Sequence, residues 1–266
     1  MAAAEIVIVA LNARYSHCAF AARSLHANLG ALRSRTAVIE ADTGVTPFQL
    51  AASLVERRPV VAGFSVYLWN ARLVRETALI LRRVAPGMRI VLGGPEITAA
   101  CAPGWRGAAD ALVVGEGESA FRSLCVEALA DGWPTAADGA PRLVQGGAED
   151  VAALELPYDG YDAEDLARRT LYVESSRGCP YGCAYCTSRR TPLRLFDPER
   201  LGASFDELIA RGARSFRFLD RSFNADERHA CAVLAFFLAR RPERFQIHLE
   251  LAPRRFGAGL RAALAA

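Results

Sequence analysis

Three of the seven cysteines fall within one short run, Cys179-Pro180-Tyr181-Gly182-Cys183-Ala184-Tyr185-Cys186. The C-x3-C-x2-C spacing lets three thiolates converge without long-range folding. A structural zinc site is closed by four ligands, and no second C-x2-C pair completes one, so His229 and Cys231 would be the nearest additional donors. A four-iron cluster held by three thiolates instead keeps one iron open to a cofactor or substrate. The remaining cysteines, Cys18, Cys101, Cys125 and Cys231, are scattered. In a reducing compartment the grouped three read as metal ligands before they read as disulfide partners.

The loop needs a scaffold, and the pattern around it indicates one. Short Val- and Ile-rich runs at 5–11, 36–40, 60–64, 89–92 and 110–114 alternate with helical periodicity at 18–33, 47–57, 71–84 and 118–131. Thr46 and Pro47 form the opening of the second helix. Such alternation predicts an α/β domain with a parallel sheet, flavodoxin-like or Rossmann-like. Between 131 and 169 the rhythm weakens into Gly, Pro, Asp and Ala, apart from the run 142–145, and this stretch reads as a domain connection. The βα rhythm then resumes with strands at 170–174, 215–219 and 245–251, helices at 198–211 and 225–240, and an apolar helix within 254–266.

Composition limits the alternatives. Hydrophobic residues make up 52% and charged residues 23% of the 266, which excludes a disordered tail and supplies a sizeable core. The apolar run that contains 232–239 is far short of the roughly 20 residues that cross a bilayer. Glu5 interrupts the N-terminal apolar stretch, so that stretch reads as a buried strand and not a signal peptide, and the expected location is the cytoplasm. All 32 basic residues are Arg. Residues 1–166 carry 14 Arg against 19 acids and residues 167–266 carry 18 against 10, net −5 and +8. A basic C-terminal half is compatible with an anionic substrate or RNA, and equally with Arg on solvated helix faces.

The cysteine run, with an aromatic residue just before its last Cys, resembles the cluster loop of the radical S-adenosylmethionine (radical SAM) superfamily. That resemblance implies a 4Fe-4S cluster on Cys179, Cys183 and Cys186 whose open iron chelates SAM, with reductive cleavage to a 5′-deoxyadenosyl radical and an external electron donor such as flavodoxin or ferredoxin. Residues 172–179 and 218–224 resemble the first and second barrel strands of cobalamin-type members. By similarity Tyr185, Asp220 and Glu250 belong near SAM, although Asp220 and Glu250 also suit a salt bridge or a cap at a strand end.

Four loops follow predicted strands of the N-terminal half: Asn12 to His17, Ser65 to Asn70, Gly93 to Glu96 and Gly115 to Glu118. Open α/β sheets bind ligands at such carboxyl ends. No G-x-G-x-x-G follows the first strand, which argues against an ordinary dinucleotide fold. The loops resemble the cobalamin-binding domain that precedes many radical SAM barrels, in an uncharacterised branch, which implies corrin contacts from Asn12, Tyr15, Ser65, Tyr67, Trp69, Gly93, Gly94, Glu116 and Gly117. Tyr67 and Trp69 equally suit core aromatics. The D-x-H-x-x-G pattern that supplies cobalt with a histidine elsewhere is absent, so cobalamin is expected without a histidine lower ligand, and His17 is expected at a helix start or on the surface.

The expected organisation is a cobalamin-binding-like domain at 1–135, a linker at 136–169 and an incomplete radical SAM (βα) barrel at 170–266. The expected function is that of a cobalamin-dependent radical SAM enzyme, with methyl transfer to an unactivated carbon as the family-level reaction. A methylthiotransferase-like RNA modifier would fit the basic half, but that group's further cluster cysteines have no counterparts in the contexts of Cys18, Cys101 and Cys125. A ligand-binding fragment without turnover is the non-enzymatic reading. Only 80 residues run from Thr187 to the end, and a βα unit with its return strand takes roughly 30, so the barrel is expected to be cut short and its third strand to lack an outer neighbour.

Overall fold

The computed structural model describes residues 4–130, 133, 138–240, 244–254 and 256–266. The chain divides into two compact units, Met1–Tyr15 with Ala19–Glu149, and Ser16–Cys18 with Asp150–Ala266.

In the first unit β1 (Ile6–Asn12), α1 (Phe20–Ala27), β2 (Thr36–Asp42), α2 (Pro47–Arg57), β3 (Val61–Ser65), α3 (Ala71–Val84), β4 (Arg89–Gly93), β5 (Ala111–Val114), α4 (Glu118–Ala130) and β6 (Arg142–Gln145) follow in order. Every pairing is parallel and the sheet runs β2-β1-β3-β4-β5-β6, the flavodoxin-like order extended by one strand. The order explains why β1 is apolar from Ile6 to Leu11. Its alternate residues face opposite ways and both faces are covered. Val7, Val9 and Leu11 join a core with Leu54 of α2 and Leu81 of α3. Ile6, Ile8 and Ala10 join a second core with Ala22 of α1 and Phe121 of α4.

Helix α2 keeps its sequence-predicted limits because its cap is local. Thr46 Oγ1 accepts the Gln49 N–H at 3.3 Å, and Gln49 Oε1 accepts the Thr46 N–H at 2.9 Å. Helix α1 is shorter than the expected 18–33. The chain leaves it at Asn28, and Gly30, at φ 57°, opens a 3-10 turn over Gly30–Arg35. The segment expected as a linker supplies β6, which pairs with β5. From Asp150 onward the chain packs with the second unit.

The second unit contains α5 (Ala163–Arg168), β7 (Leu171–Val173), β8 (Ser176–Cys179), β9 (Thr191–Leu195), α6 (Pro198–Ala210), β10 (Ser215–Phe218), α7 (Glu227–Leu238), β11 (Gln246–His248) and α8 (Ala258–Ala265). Strands β11-β10-β7 form a parallel sheet, and β8 and β9 form an antiparallel hairpin. Among the described residues this sheet has three strands, so the architecture present is parallel α/β.

Phe205 of α6 centres the core of the second unit, with ring centroids 5.6–6.0 Å from Tyr158, Phe216, Phe218, Phe236 and Phe237. Phe205→Ala is expected to cost about 3–5 kcal/mol, because those rings cannot all close on the void. The readout is the circular-dichroism denaturation midpoint of the full chain, since all three tryptophans lie in the first unit. A midpoint shift equivalent to less than about 1 kcal/mol would show that the aromatic cluster repacks.

Candidate functional site

Each unit brings sequence-predicted residues to the carboxyl ends of its parallel strands. In the first unit the sheet order reverses at β1 and β3, and ligands of open α/β sheets bind at such a switch point. Asn70, buried ahead of α3, ties the two strand ends together. Its Nδ2 donates to Leu11 O at 3.1 Å and Ser65 O at 3.0 Å, and its Oδ1 accepts the Tyr67 N–H at 2.8 Å. Trp69 Nε1 donates to Leu11 O at 3.0 Å. The Tyr67 and Trp69 rings stack with centroids 4.5 Å apart and planes 10° from parallel. Trp69 is 51% exposed, its neighbour Leu68 81% and Tyr15 45%, so this end of the sheet presents a flat apolar surface and Trp69 is not a core aromatic.

Other expected contacts have local structural work. Asn12 Nδ2 donates to Glu40 Oε1 at 2.5 Å, and Glu40 also accepts the Ala19 N–H and pairs with Arg23, each at 2.7 Å. Gly94, at φ 105°, lies where a Cβ would stand 2.6 Å from Val66 O, so the β3 loop itself requires that glycine. Gly93 O accepts the Val66 N–H at 2.7 Å. Glu116 Oε2 accepts the Glu149 N–H at 3.0 Å, and a Cβ on Gly117 would meet Leu25 at 3.4 Å. Ser65 is buried. His17 is neither at a helix start nor freely on the surface. It forms a parallel bridge with Thr170 and its Nδ1 hydrogen-bonds the Tyr172 hydroxyl, both within the second unit.

In the second unit the cysteine loop joins β8 to β9. Its neck is closed by the Cys179 N–H donating to Thr191 Oγ1 at 2.8 Å and the Arg190 N–H donating to Tyr181 O at 2.8 Å. Inside it, the Cys186 N–H donates to Cys183 O at 3.2 Å. Cys179 is buried, Cys186 half-buried and Cys183 exposed, and all three are free thiols. Among the described residues, no three His, Cys, Asp or Glu side chains stand together so as to hold a metal ion, the three loop cysteines included. The donor set nonetheless fits an iron–sulfur cluster, being three soft thiols on one loop fastened at its neck. His229 does not complete a zinc site either: its Nε2 donates to Ser175 O at 3.0 Å, and among the described residues it stands in no group of three metal-ligating side chains. Tyr185 points outward, 93% exposed.

Asp220, at the end of β10, accepts the Ser175 N–H at 2.9 Å and the Ser175 and Ser176 hydroxyls at 2.6 Å each. Burial pushes its carboxyl above the usual carboxylate range, against the lowering effect of those hydrogen bonds. Glu250 makes an exposed ion pair with Arg217 at 3.7 Å. Sequence reading gave no role to Ser175, Ser176, Asn224 or the Glu174–Arg177 pair at 2.7 Å, and named His229 only as a spare metal donor. Asn224 fastens the β11 exit through Ala252 N–H and C=O, at 2.8 and 3.0 Å. Asn70 carried a usable signal as a helix-opening Asn ahead of α3. The second-unit residues carried none, since Ser and Asn after a strand read as ordinary loop.

Residues 6–125 match the B12 binding domain family. The chain is thus similar to cobalamin-binding-domain-containing radical SAM proteins, as the resemblance implied. Among curated proteins, the chain is 36% identical over 202 residues to the 2-(S-pantetheinyl)-carbapenam-3-carboxylate methyltransferase of Streptantibioticus cattleyicolor, covering 66% of this chain and 29% of that protein. It is 33% identical over 207 residues to the cobalamin-dependent radical SAM methyltransferase TokK of Streptomyces tokunonensis, covering 67% and 30%. The radical SAM methyltransferase TsrM of Kitasatospora setae, solved with tryptophan and a SAM analogue, shares the fold at TM-score 0.68 and 18% identity, over 98% of this chain and 57% of that one. The matches thus span about 30% of the length of these curated relatives. Among the described residues no helix is long and apolar enough to cross a membrane.

Proposed function

We propose that this chain is the cobalamin-binding and cluster-bearing part of a cobalamin-dependent radical SAM methyltransferase. The observation that carries the reading is the C-x3-C-x2-C loop, fastened on a hairpin directly after the first strand of a parallel sheet, in a chain whose other unit matches the B12 binding domain. Cys179, Cys183 and Cys186 hold a 4Fe-4S cluster. When bound, the cluster and cobalamin supply one-electron reduction of SAM and a carrier for the methyl group. The exposed Tyr67–Trp69 stack, with Leu68, offers the corrin an apolar face, and Asn70 holds that face rigid through the ends of β1 and β3. The sheet of β7, β10 and β11 is part of a radical SAM barrel, whose carboxyl-end loops gather the reacting groups. The methyl acceptor is an organic substrate with an unactivated carbon, and the electron donor is a reduced protein of the flavodoxin or ferredoxin type.

The test is anaerobic reconstitution of the full chain with iron and sulfide, followed by cobalamin and SAM. The expected result is a cluster spectrum and a SAM-dependent change in that spectrum; 5′-deoxyadenosine made by this chain alone would show that its barrel portion suffices for SAM cleavage. Stoichiometric zinc with no iron uptake would overturn the cluster assignment.

Cobalamin titration is a separate expectation. The bound spectrum should be base-off and unchanged in His17→Ala, because His17 is engaged with Thr170 and Tyr172. A base-off to base-on difference between the two proteins would assign a histidine ligand after all, and absence of binding would remove the cobalamin role.

A further inference from the structure

Ser175 immediately precedes the cysteine hairpin and Ser176 opens its first strand, and both are buried and held by several hydrogen bonds. Ser175 has no exposed surface. Its N–H donates to Asp220 Oδ2 at 2.9 Å and its hydroxyl to Asp220 Oδ1 at 2.6 Å. Its carbonyl accepts from His229 Nε2 at 3.0 Å. The Ser176 hydroxyl donates to the same Oδ1 at 2.6 Å. Three donors converge on one carboxylate that is 1% exposed, which occupies both of its oxygens.

We infer that Asp220 is a positioning residue for the cysteine loop: through Ser175 and Ser176 it fixes where β8 begins, and therefore where the Cys179 sulfur stands. The inference rests on the cluster reading above, and it replaces the sequence-based expectation of Asp220 as a SAM contact. Its logic is geometric. The hairpin is closed at its neck by Thr191, but that contact fixes Cys179 only relative to β9. The Asp220 bonds tie the entry of the same hairpin to β10, a strand of the parallel sheet. The Glu174–Arg177 pair, with Arg177 Nε 3.1 Å from both carboxylate oxygens, stiffens the intervening backbone. A carboxylate suits this place because it only accepts. An amide would turn an NH2 toward hydroxyls that must then reverse, leaving a buried donor poorly paired.

The experiment compares the full chain with Asp220→Asn, Ser176→Ala and Ser176→Thr. In the metal-free protein, iodoacetamide labelling is followed at each cysteine by peptide mass spectrometry. Asp220→Asn should raise the Cys179 rate about tenfold, because the hairpin entry loosens. Ser176→Ala should raise it less, and Ser176→Thr, which keeps the hydroxyl, should restore it. Cys125, buried in the first unit with its thiol pushed up to about 12, and Cys18, buried in the second, report whether either unit has come apart.

In the anaerobically reconstituted chain, Asp220→Asn should release iron to a chelator about fivefold faster and alter the reduced cluster's electron paramagnetic resonance spectrum before SAM is added. Cys179 labelling within twofold of wild type overturns the inference. So does a rise at Cys18 parallel to that at Cys179, which would make Asp220 a general stabiliser of the unit. A spectral change seen only after SAM addition overturns it in favour of a SAM contact. If the wild-type chain takes up no iron, the cluster reading fails by itself, and the labelling still decides whether Asp220 fixes the loop.

Discussion

Cys183→Ala is expected to remove the iron–sulfur chromophore entirely while leaving the thermal unfolding midpoint within about 2 °C of wild type. The side chain is exposed, so its loss opens no cavity, and any loss of iron reads on ligation alone. Cys179→Ala and Cys186→Ala should abolish the chromophore equally. Cys179 is buried, and its truncation should add about 1 kcal/mol of destabilisation. The effect is all-or-none because two loop thiolates do not hold the cluster and the other cysteines lie outside the loop, Cys231 on α7 among them. Cys101 is folded onto its own turn, with Sγ 3.0 Å from Thr98 O, and Cys18 Sγ lies 3.5 Å from the Asp165 carboxylate. Cys125 is buried on the inner face of α4. Iron quantitation beside the visible spectrum after anaerobic reconstitution decides the matter. Full iron stoichiometry in any one of the three variants would show that the spacing is not a cluster signature here.

The elements most legible in the sequence are those whose signals are local. Helices α2 and α3 match their expected limits. The first is set by the Thr46–Gln49 capping box, and the second is opened by Asn70. Strands β1, β3, β4 and β5 stand out because both faces of the sheet are covered and no polar alternation dilutes the apolar run. Strand β6 was not legible as part of the sheet. It lies on the edge with mostly exposed side chains, so four residues, Arg142–Gln145, carry little hydrophobic signal. The β8–β9 hairpin was hidden for another reason. Its strands contain Gly178 and Pro192, residues that normally end a strand, and only the fold shows that they close one.

The site divides along the same line. The three cysteines declare themselves by spacing, and the strand-end loops by following apolar runs. What spacing cannot reveal is which polar groups satisfy one another after folding. Asp220 and Ser175 are 45 positions apart, so nothing in the sequence distinguishes a ligand-facing carboxylate from one whose oxygens are already taken. Gly94 shows a second limit: the resemblance implies a corrin contact there, while the atoms that a Cβ would meet belong to Val66.

Gly178→Ala is expected to prevent cluster loading, through backbone sterics at the neck of the cysteine loop. Gly178 has φ 96°, a region that costs an L-residue of order 1–3 kcal/mol. A Cβ there would stand 2.0 Å from Pro192 O and 2.8 Å from Pro192 C. Those are backbone atoms of the partner strand, so no rotamer change relieves the contact and the hairpin must part. The register of β8 on β9 is already irregular between Arg177 and Cys179, which leaves no slack in which to absorb the shift. Gly212 supplies the comparison. It lies in the same unit at φ 107°, yet a Cβ there would meet nothing within 4 Å. Gly212→Ala therefore carries the dihedral cost without the collision, and should load iron as wild type does despite a slightly lower unfolding midpoint. Gly178→Ala should keep its far-ultraviolet spectrum, since the parallel sheet does not depend on the hairpin, yet take up less than about a tenth of the wild-type iron. Equal loading by the two variants would mean that the neck of the loop can open without disturbing the cysteines.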